Sequence, residues 1–336
     1  MNPPKSVLVY SMGEVIGDGL IKLPFLAALR QAFPGARLVW CAAKGDTVYT
    51  TSLTPVVEGM LDEVIGDGVT GVAVSDLLLL RKPFDGRRFD VVIDTQTNVR
   101  RSLVVRRAKA RGGIFLSPSA KFFFSDRRPK VWPEPLVERL SCLLSLSVGH
   151  EVGFQPVPMT NKRALQAAEA LLPGPGPYVG FAPGAGGKIK RWPFGSYLAL
   201  ARAEAEAGRT PVFFMGPDEA AEADAVRQAV PMALIPELGR TDDFQDVKGP
   251  LLVVAMASRL LAAVANDAGP GHMLAAGGAP LLSLQKIKRK AVRFRPDARR
   301  LEMLVAEDYA FDSAMEAIPL EDAAAALARL IAGRAA

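Results

Sequence analysis

Three glycine-bearing segments carry side chains suited to group transfer. The first, Gly13-Glu14-Val15-Ile16-Gly17-Asp18-Gly19, sets two acids, Glu14 and Asp18, among glycines that would let a substrate approach the backbone. A carboxylate so placed can take the proton from an attacking hydroxyl. Asp18 also has the type and position of a helix cap, so both roles stay open. The second, Pro183-Gly184-Ala185-Gly186-Gly187-Lys188-Ile189-Lys190-Arg191-Trp192-Pro193, pairs Gly-freed amides with Lys188, Lys190 and Arg191. Such a loop can hold an anion or can be an ordinary solvated turn. The third, Asn266-Asp267-Ala268-Gly269-Pro270-Gly271-His272, presents a helix start where a diphosphate could sit, with His272 beside Asp267.

Two basic runs accompany them. Arg100, Arg101, Arg106, Arg107, Lys109 and Arg111 follow one apolar run, and Lys286, Lys288, Arg289, Lys290, Arg293 and Arg295 follow another. Most charge runs are solvated faces, but both begin just past an expected strand's carboxyl end, where ligands gather. Phe122-Phe123-Phe124 with Arg127, Arg128 and Lys130 reads as contact with an amphiphile or a membrane surface. No module signature for nucleic acid occurs. No His, Cys or carboxylate cluster has metal-ligand spacing, and neither a metal nor another cofactor is expected.

Short apolar strands alternating with helical patterns must position these loops. Strands are expected at Ser6–Tyr10, Arg37–Cys41, Asp90–Asp94, Tyr178–Ala182, Pro211–Met215, Leu261–Ala265 and Pro280–Leu284. Helices are expected at about Leu20–Phe33, Asn161–Leu172 and Leu320–Ala332, with others near Tyr197 and Pro270. Strands apolar on both faces suit parallel sheets covered by helices on each side. The pattern restarts near residue 158, which predicts an α/β chain of two domains, 1–158 and 159–336.

A chain of 336 residues, 49% hydrophobic and 23% charged, excludes disorder, collagen-like repeats and a disulfide miniprotein. Lys and Arg number 41 against 35 Asp and Glu, a net +6 that suits an anionic ligand. Cys41 and Cys142 read as isolated thiols of a reducing compartment. No signal-peptide pattern and no apolar run of ~20 residues occurs, so a cytoplasmic protein, at most resting on a membrane, is expected.

Taken in order, the motifs resemble the lipopolysaccharide heptosyltransferases, glycosyltransferase family 9. That family's GD and LPxLxxLxxxFP are matched by Gly17-Asp18, Leu23-Pro24-Phe25-Leu26, Leu29 and Phe33-Pro34; its PGA…KxWP by Pro183-Gly184-Ala185 and Lys190-Arg191-Trp192-Pro193. Its GGPxE is matched by Gly216-Pro217-Asp218-Glu219, and its NDSGPxHLAAAxGxP by Asn266 to Ala276, Gly278 and Pro280. The resemblance implies a GT-B architecture of two facing Rossmann-like domains, the first binding acceptor and the second a nucleotide-sugar. It implies metal-independent, inverting transfer from a nucleotide-diphosphate sugar, first ADP-heptose, to an anionic glycolipid of the lipopolysaccharide core. By carry-over, Asp18 is the general base and Lys190 neutralises the leaving diphosphate. Gly184, Lys188, Glu219 (at the ribose hydroxyls), Asp267 (at the donor sugar), Gly269, Gly271 and His272 serve the donor; Arg101 serves the acceptor, with Glu14 as an unassigned acid near it.

The chain departs from the family at GEVIGD, longer than GxGD, at Ala268 in place of Ser or Thr, and at Gln285-Lys286-Ile287 in place of an FGPT-like turn. A nicotinamide oxidoreductase would need GxGxxG after the first strand, which is absent. A sugar-nucleotide epimerase and a non-catalytic nucleotide-sugar-binding protein of the same architecture remain as alternatives.

Overall fold

The computed structural model describes residues 3–66, 82–159, 162–237, 244, 246–247 and 249–333. The chain forms two compact units, Met1–Val157 and Pro158–Ala336.

In the first unit the elements run β1 (Ser6–Ser11), α1 (Ile16–Ala32), β2 (Arg37–Ala42), α2 (Thr54–Val57), β3 (Glu63–Ile65), β4 (Phe89–Asp94), α3 (Val99–Arg106), β5 (Lys109–Leu116) and α4 (Leu136–Val148). The sheet order is β3-β2-β1-β4-β5, every pair parallel. Leu8, Tyr10, Val39, Cys41, Val92 and Phe115 share one buried cluster with Val105 of α3. Side chains alternate across a strand, so Val7 and Val9, equally buried, face the other side, where α1 and α4 pack together.

The second unit runs α5 (Lys162–Leu171), β6 (Tyr178–Ala182), α6 (Phe194–Glu206), β7 (Thr210–Phe213), α7 (Ala223–Ala229), α8 (Pro250–Ala257), β8 (Leu260–Asn266), α9 (Gly269–Ala276), β9 (Leu281–Gln285), α10 (Lys288–Arg293), β10 (Leu301–Val305) and α11 (Leu320–Ala332). Its sheet, β10-β9-β8-β6-β7, is also all parallel. Val179 and Phe181 of β6 join a core with α6, α7 and α11. Tyr178 and Ala182, four residues apart and so together on the other face of the strand, join a separate core with α5, α8 and α9. Both faces of this sheet are therefore covered, which is why its strands read as continuous apolar runs.

The expected α/β class with parallel sheets is borne out. Some boundaries differ. The helix expected from Leu20 begins at Ile16, so Gly17-Asp18-Gly19 form its first turn rather than a loop. β3, β5 and β10 were not among the expected strands. The helix expected at Asn161–Leu172 is Lys162–Leu171; Thr160 and Asn161 lie outside the described residues. Among the described residues, no helix is long and apolar enough to cross a membrane.

Candidate active site

In each sheet the strand order reverses at one point: between β1 and β4 in the first, between β6 and β8 in the second. Chains leaving two such strands diverge to opposite faces, opening a crevice at their carboxyl ends where α/β proteins bind ligands. Asp18 and Arg101 follow β1 and β4. Lys190 and Asp267 follow β6 and β8.

Asp18 is half-buried in the first turn of α1, where a carboxylate also complements the helix dipole. The N-cap is Val15, which makes no side-chain cap bond, so Asp18 does not occupy the capping position. The flanking glycines serve packing. A Cβ on Gly13 would meet the carbonyl oxygens of Asp46 and Lys44 at 2.6 and 2.7 Å, and one on Gly19 would meet Val48 at 2.4 Å. Those glycines bring the loop and α1 against residues 44–49, a different task from admitting a substrate.

Glu14 turns inward. Its side chain is 0% exposed, and Lys22 Nζ donates to Oε1 at 2.9 Å and to Ser11 Oγ at 3.0 Å. Trp40 Nε1 donates to the other oxygen, Oε2, at 3.2 Å. A carboxylate so engaged and so buried is placed to anchor the β1–α1 loop, and it does not face solvent as an acceptor-binding acid would. Burial, with Glu14 adding to it, pushes the nearby Cys41 thiol up to about 12, so Cys41 is held as an inert thiol.

Arg101 lies in the first turn of α3, whose N-cap Asn98 accepts from Arg101 N at 3.1 Å. The guanidinium reaches back across the reversal point, with Nη1 against Sδ of Met12 in the β1–α1 loop. Arg101 and the segment leading to Asp18 thus share one edge of the first unit. The rest of that basic run divides: Lys109 and Arg111 belong to β5, and Lys109 pairs with Asp126 at 2.9 Å. The run thus begins past the carboxyl end of β4, as expected, with Arg100 and Arg101 on α3, and its last members open the next strand.

In the second unit Lys190 Nζ lies 3.3 Å from Asp267 Oδ2, with side-chain exposures of 37% and 13%. The buried Asn266 sets this pair. Its Nδ2 donates to Pro183 O at 2.7 Å and its Oδ1 accepts from Trp192 N at 3.0 Å, tying both ends of the Lys190 loop to the end of β8. Lys188 is exposed on the same short turn. Glu219, buried after β7, accepts from Arg191 Nη2 at 2.6 Å and from Gly216 N at 3.0 Å. A Cβ on Gly184 would stand 3.0 Å from that carboxylate, so Gly184 makes room for Glu219.

At the start of α9 the anion-facing capacity is smaller than the motif suggests. Pro270 has no N–H, and Gly271 N donates to Ala268 O at 3.1 Å. A Cβ on Gly271 would meet Ala265 and Asn266 at 3.3 Å, which gives this glycine a packing role. Gly269 remains at the first helical position. His272 is buried, and burial pulls its imidazole down to about 4 against the opposing pull of Asp267. It is neutral at physiological pH and can offer a hydrogen bond but no charge.

Asn266 and Arg191 have structural parts that the sequence reading did not assign. Asn266 opens the Asn266–His272 segment, and a polar residue ending an apolar strand signals a buried amide in need of partners. Arg191 could have been sought as the counter-ion that a buried Glu219 requires. Among the described residues no group of three or more His, Cys, Asp or Glu could hold a metal ion.

Residues 78–311 match the family described as glycosyltransferase family 9 (heptosyltransferase). Arg101, Lys190, Glu219, Asp267 and His272 lie inside that span; Glu14 and Asp18 lie before it. Among solved structures the chain is similar to a glycosyl transferase family 9 protein of Veillonella parvula, 18% identical, TM-score 0.69, covering 98% of each chain. It is similar to the ADP-heptose lipopolysaccharide heptosyltransferase II of E. coli, 16% identical, TM-score 0.62, covering 99% of this chain and 100% of that one. It is also similar to the E. coli heptosyltransferase WaaC with ADP, 18% identical, TM-score 0.63, covering 97% and 99%. No curated protein sequence matches the chain. At these identities the structural likenesses speak for the fold, of the expected GT-B kind.

Proposed function

Because the chain belongs to glycosyltransferase family 9 and is a glycosyltransferase, we propose that it moves heptose from ADP-heptose onto a hydroxyl of an anionic, lipopolysaccharide-type glycolipid, with inversion and without a metal. The observation that carries this reading is the Lys190–Asp267 pair, held by Asn266 at the reversal point of the second sheet. A cation fixed there can meet charge as it develops on a departing diphosphate.

The acceptor oxygen attacks the anomeric carbon, and its proton passes to the Asp18 carboxylate. The bond from that carbon to the diphosphate oxygen breaks, and the electron pair leaves with ADP. Lys190, Lys188 and the Gly269 amide meet the new negative charge, while neutral His272 adds a hydrogen bond. Glu219, held by Arg191, takes the ribose hydroxyls, and Asp267 the donor sugar. Arg101 attracts the acceptor's anionic groups, and Glu14 holds the loop that leads to Asp18. The enzyme works in the cytoplasm, touching the membrane through the basic residues around the exposed Phe123. ADP release should occur with ADP-heptose and acceptor together and with neither alone; release from UDP- or GDP-sugars instead would reject the donor.

A further inference from the structure

Asp94 ends β4 with its side chain fully buried, and no step of the transfer uses it. Its Oδ2 accepts from Ser102 Oγ of α3 and from Ser117 Oγ, just past β5, at 2.8 Å; its Oδ1 accepts from Gln96 N at 2.8 Å. The Ser117 and Ser119 hydroxyls are buried and 2.9 Å apart. Ser119 leads into three successive non-glycine residues in the left-handed region: Ala120 (φ 47°), Lys121 (φ 52°) and Phe122 (φ 64°). Such a conformation is strained for a residue with a Cβ and persists only where its surroundings dictate it.

The turn is clamped from its other end too. Phe122 is buried edge-on to Trp132, centroids 4.9 Å apart, and Arg139 lies over that indole at 5.4 Å. The strain leaves Lys121 exposed and Phe123 67% exposed. The turn packs against α3, which carries Arg100 and Arg101. Arg101 Nε is shielded from solvent and has no hydrogen-bond partner among the described residues.

The geometry points to Asp94 as a positioning residue for acceptor capture: by anchoring Ser102 on one side and Ser117 with Ser119 on the other, it fixes the Arg101 helix and the Lys121 turn in one arrangement that receives an anionic, acylated headgroup. This rests on the reading of the first unit as the acceptor-binding one. Two cationic segments and an exposed aromatic ring match a ligand bearing both phosphate and acyl chains. Stability does not account for the device. Burial pushes the Asp94 carboxyl up to about 6, against the serine and amide hydrogen bonds and the Arg101 charge, so the fold carries a charged group that an apolar core would avoid.

The test measures binding of lipid A micelles to the full chain and to Asp94→Asn, Arg101→Ala, Lys121→Ala and the Asp94→Asn/Arg101→Ala double variant, with phosphatidylglycerol vesicles as a second probe. Hydrogen exchange at the β1 amides reports whether the first unit stays folded; should Asp94→Asn open it, Ser117→Ala removes one arm and takes its place. Asp94→Asn is expected to weaken lipid A binding at least tenfold with β1 protection no lower than in wild type. The double variant should be much less impaired than the product of the single losses, because Asp94 acts through Arg101. Wild-type binding by Asp94→Asn while Arg101→Ala is impaired overturns the positioning role alone, as do fully multiplicative losses. Equal losses toward phosphatidylglycerol make the surface a general membrane contact and overturn acceptor capture. Wild-type binding by Arg101→Ala and by Lys121→Ala would remove the acceptor reading itself, and the proposal with it.

Discussion

Lys190 and Asp267, 77 residues apart in the chain, meet at 3.3 Å across the point where the second sheet reverses its strand order. One residue follows β6 and the other β8, and Asn266 fixes both backbones. In the proposed reaction the pair keeps the cation in place until a diphosphate competes for it.

Lys190→Ala should therefore lower kcat/KM by an amount equivalent to about 2–4 kcal/mol, the usual worth of one fixed electrostatic donor. Its side chain is partly exposed, so thermal melting should barely move. Steady-state kinetics with melting as the control checks this. A wild-type rate removes Lys190 from the leaving-group role.

Arg191→Met leaves Glu219 without its counter-ion. Calorimetry with ADP should show at least tenfold weaker binding, since a hydrogen bond to a charged group contributes roughly 1.5–3 kcal/mol. Loss of the carboxylate's alignment should also reduce discrimination between ADP and 2′-deoxy-ADP. Unchanged affinity for both nucleotides would mean that the Arg191–Glu219 pair is structural only.

The Glu14–Lys22 pair gives a different signature. Lys22→Met strands a fully buried carboxylate and should destabilise the fold by about 3–5 kcal/mol, whereas removing both charges together should recover much of that loss. Denaturant titration of the single and double variants decides it. A single variant as stable as wild type would return Glu14 to the candidates for direct substrate contact.

Stability should respond to pH with two opposed contributions. Asp94 titrates at about 6 in the fold against an ordinary 3.8, so its contribution is complete below 3.8 and is lost as pH rises through 6. His272 titrates at about 4 against 6.5; its contribution is complete above 6.5 and is lost as pH falls through 4. Each is of order 3 kcal/mol at 1.36 kcal/mol per unit. The stability of Asp94→Asn relative to wild type should rise between pH 3.8 and about 6 and level off above, and His272→Gln should resist acid better. A difference from wild type that stays constant with pH would contradict either assignment.

What the sequence made legible, and what it did not, follows from locality. Strands buried on both faces, such as Tyr178–Ala182, announce themselves as apolar runs, and loops after them inherit the carboxyl edge. β5 escaped because Lys-Ala-Arg-Gly-Gly opens it with charges and glycines, and its place at the sheet edge comes from pairing with β4, a tertiary fact. The early start of α1 escaped because Gly17 and Gly19 look like loop residues, while the close approach to Val48 that needs Gly19 is a tertiary fact. Glu14 and Asp18 were equivalent acids in sequence. Only the placement of Lys22, Ser11 and Trp40 around Glu14 separates them.

The most direct test of the account is ADP release by Asp18→Asn beside wild type, with ADP-heptose as donor and a lipopolysaccharide inner-core glycolipid as acceptor. Asn keeps the size of Asp, and position 18 lies within the helix rather than at its cap, so melting and ADP affinity should stay near wild type. Removal of a positioned general base should slow turnover by ~10²–10⁴. A folded, ADP-binding Asp18→Asn variant that transfers heptose at the wild-type rate would contradict the assignment of Asp18 as the base.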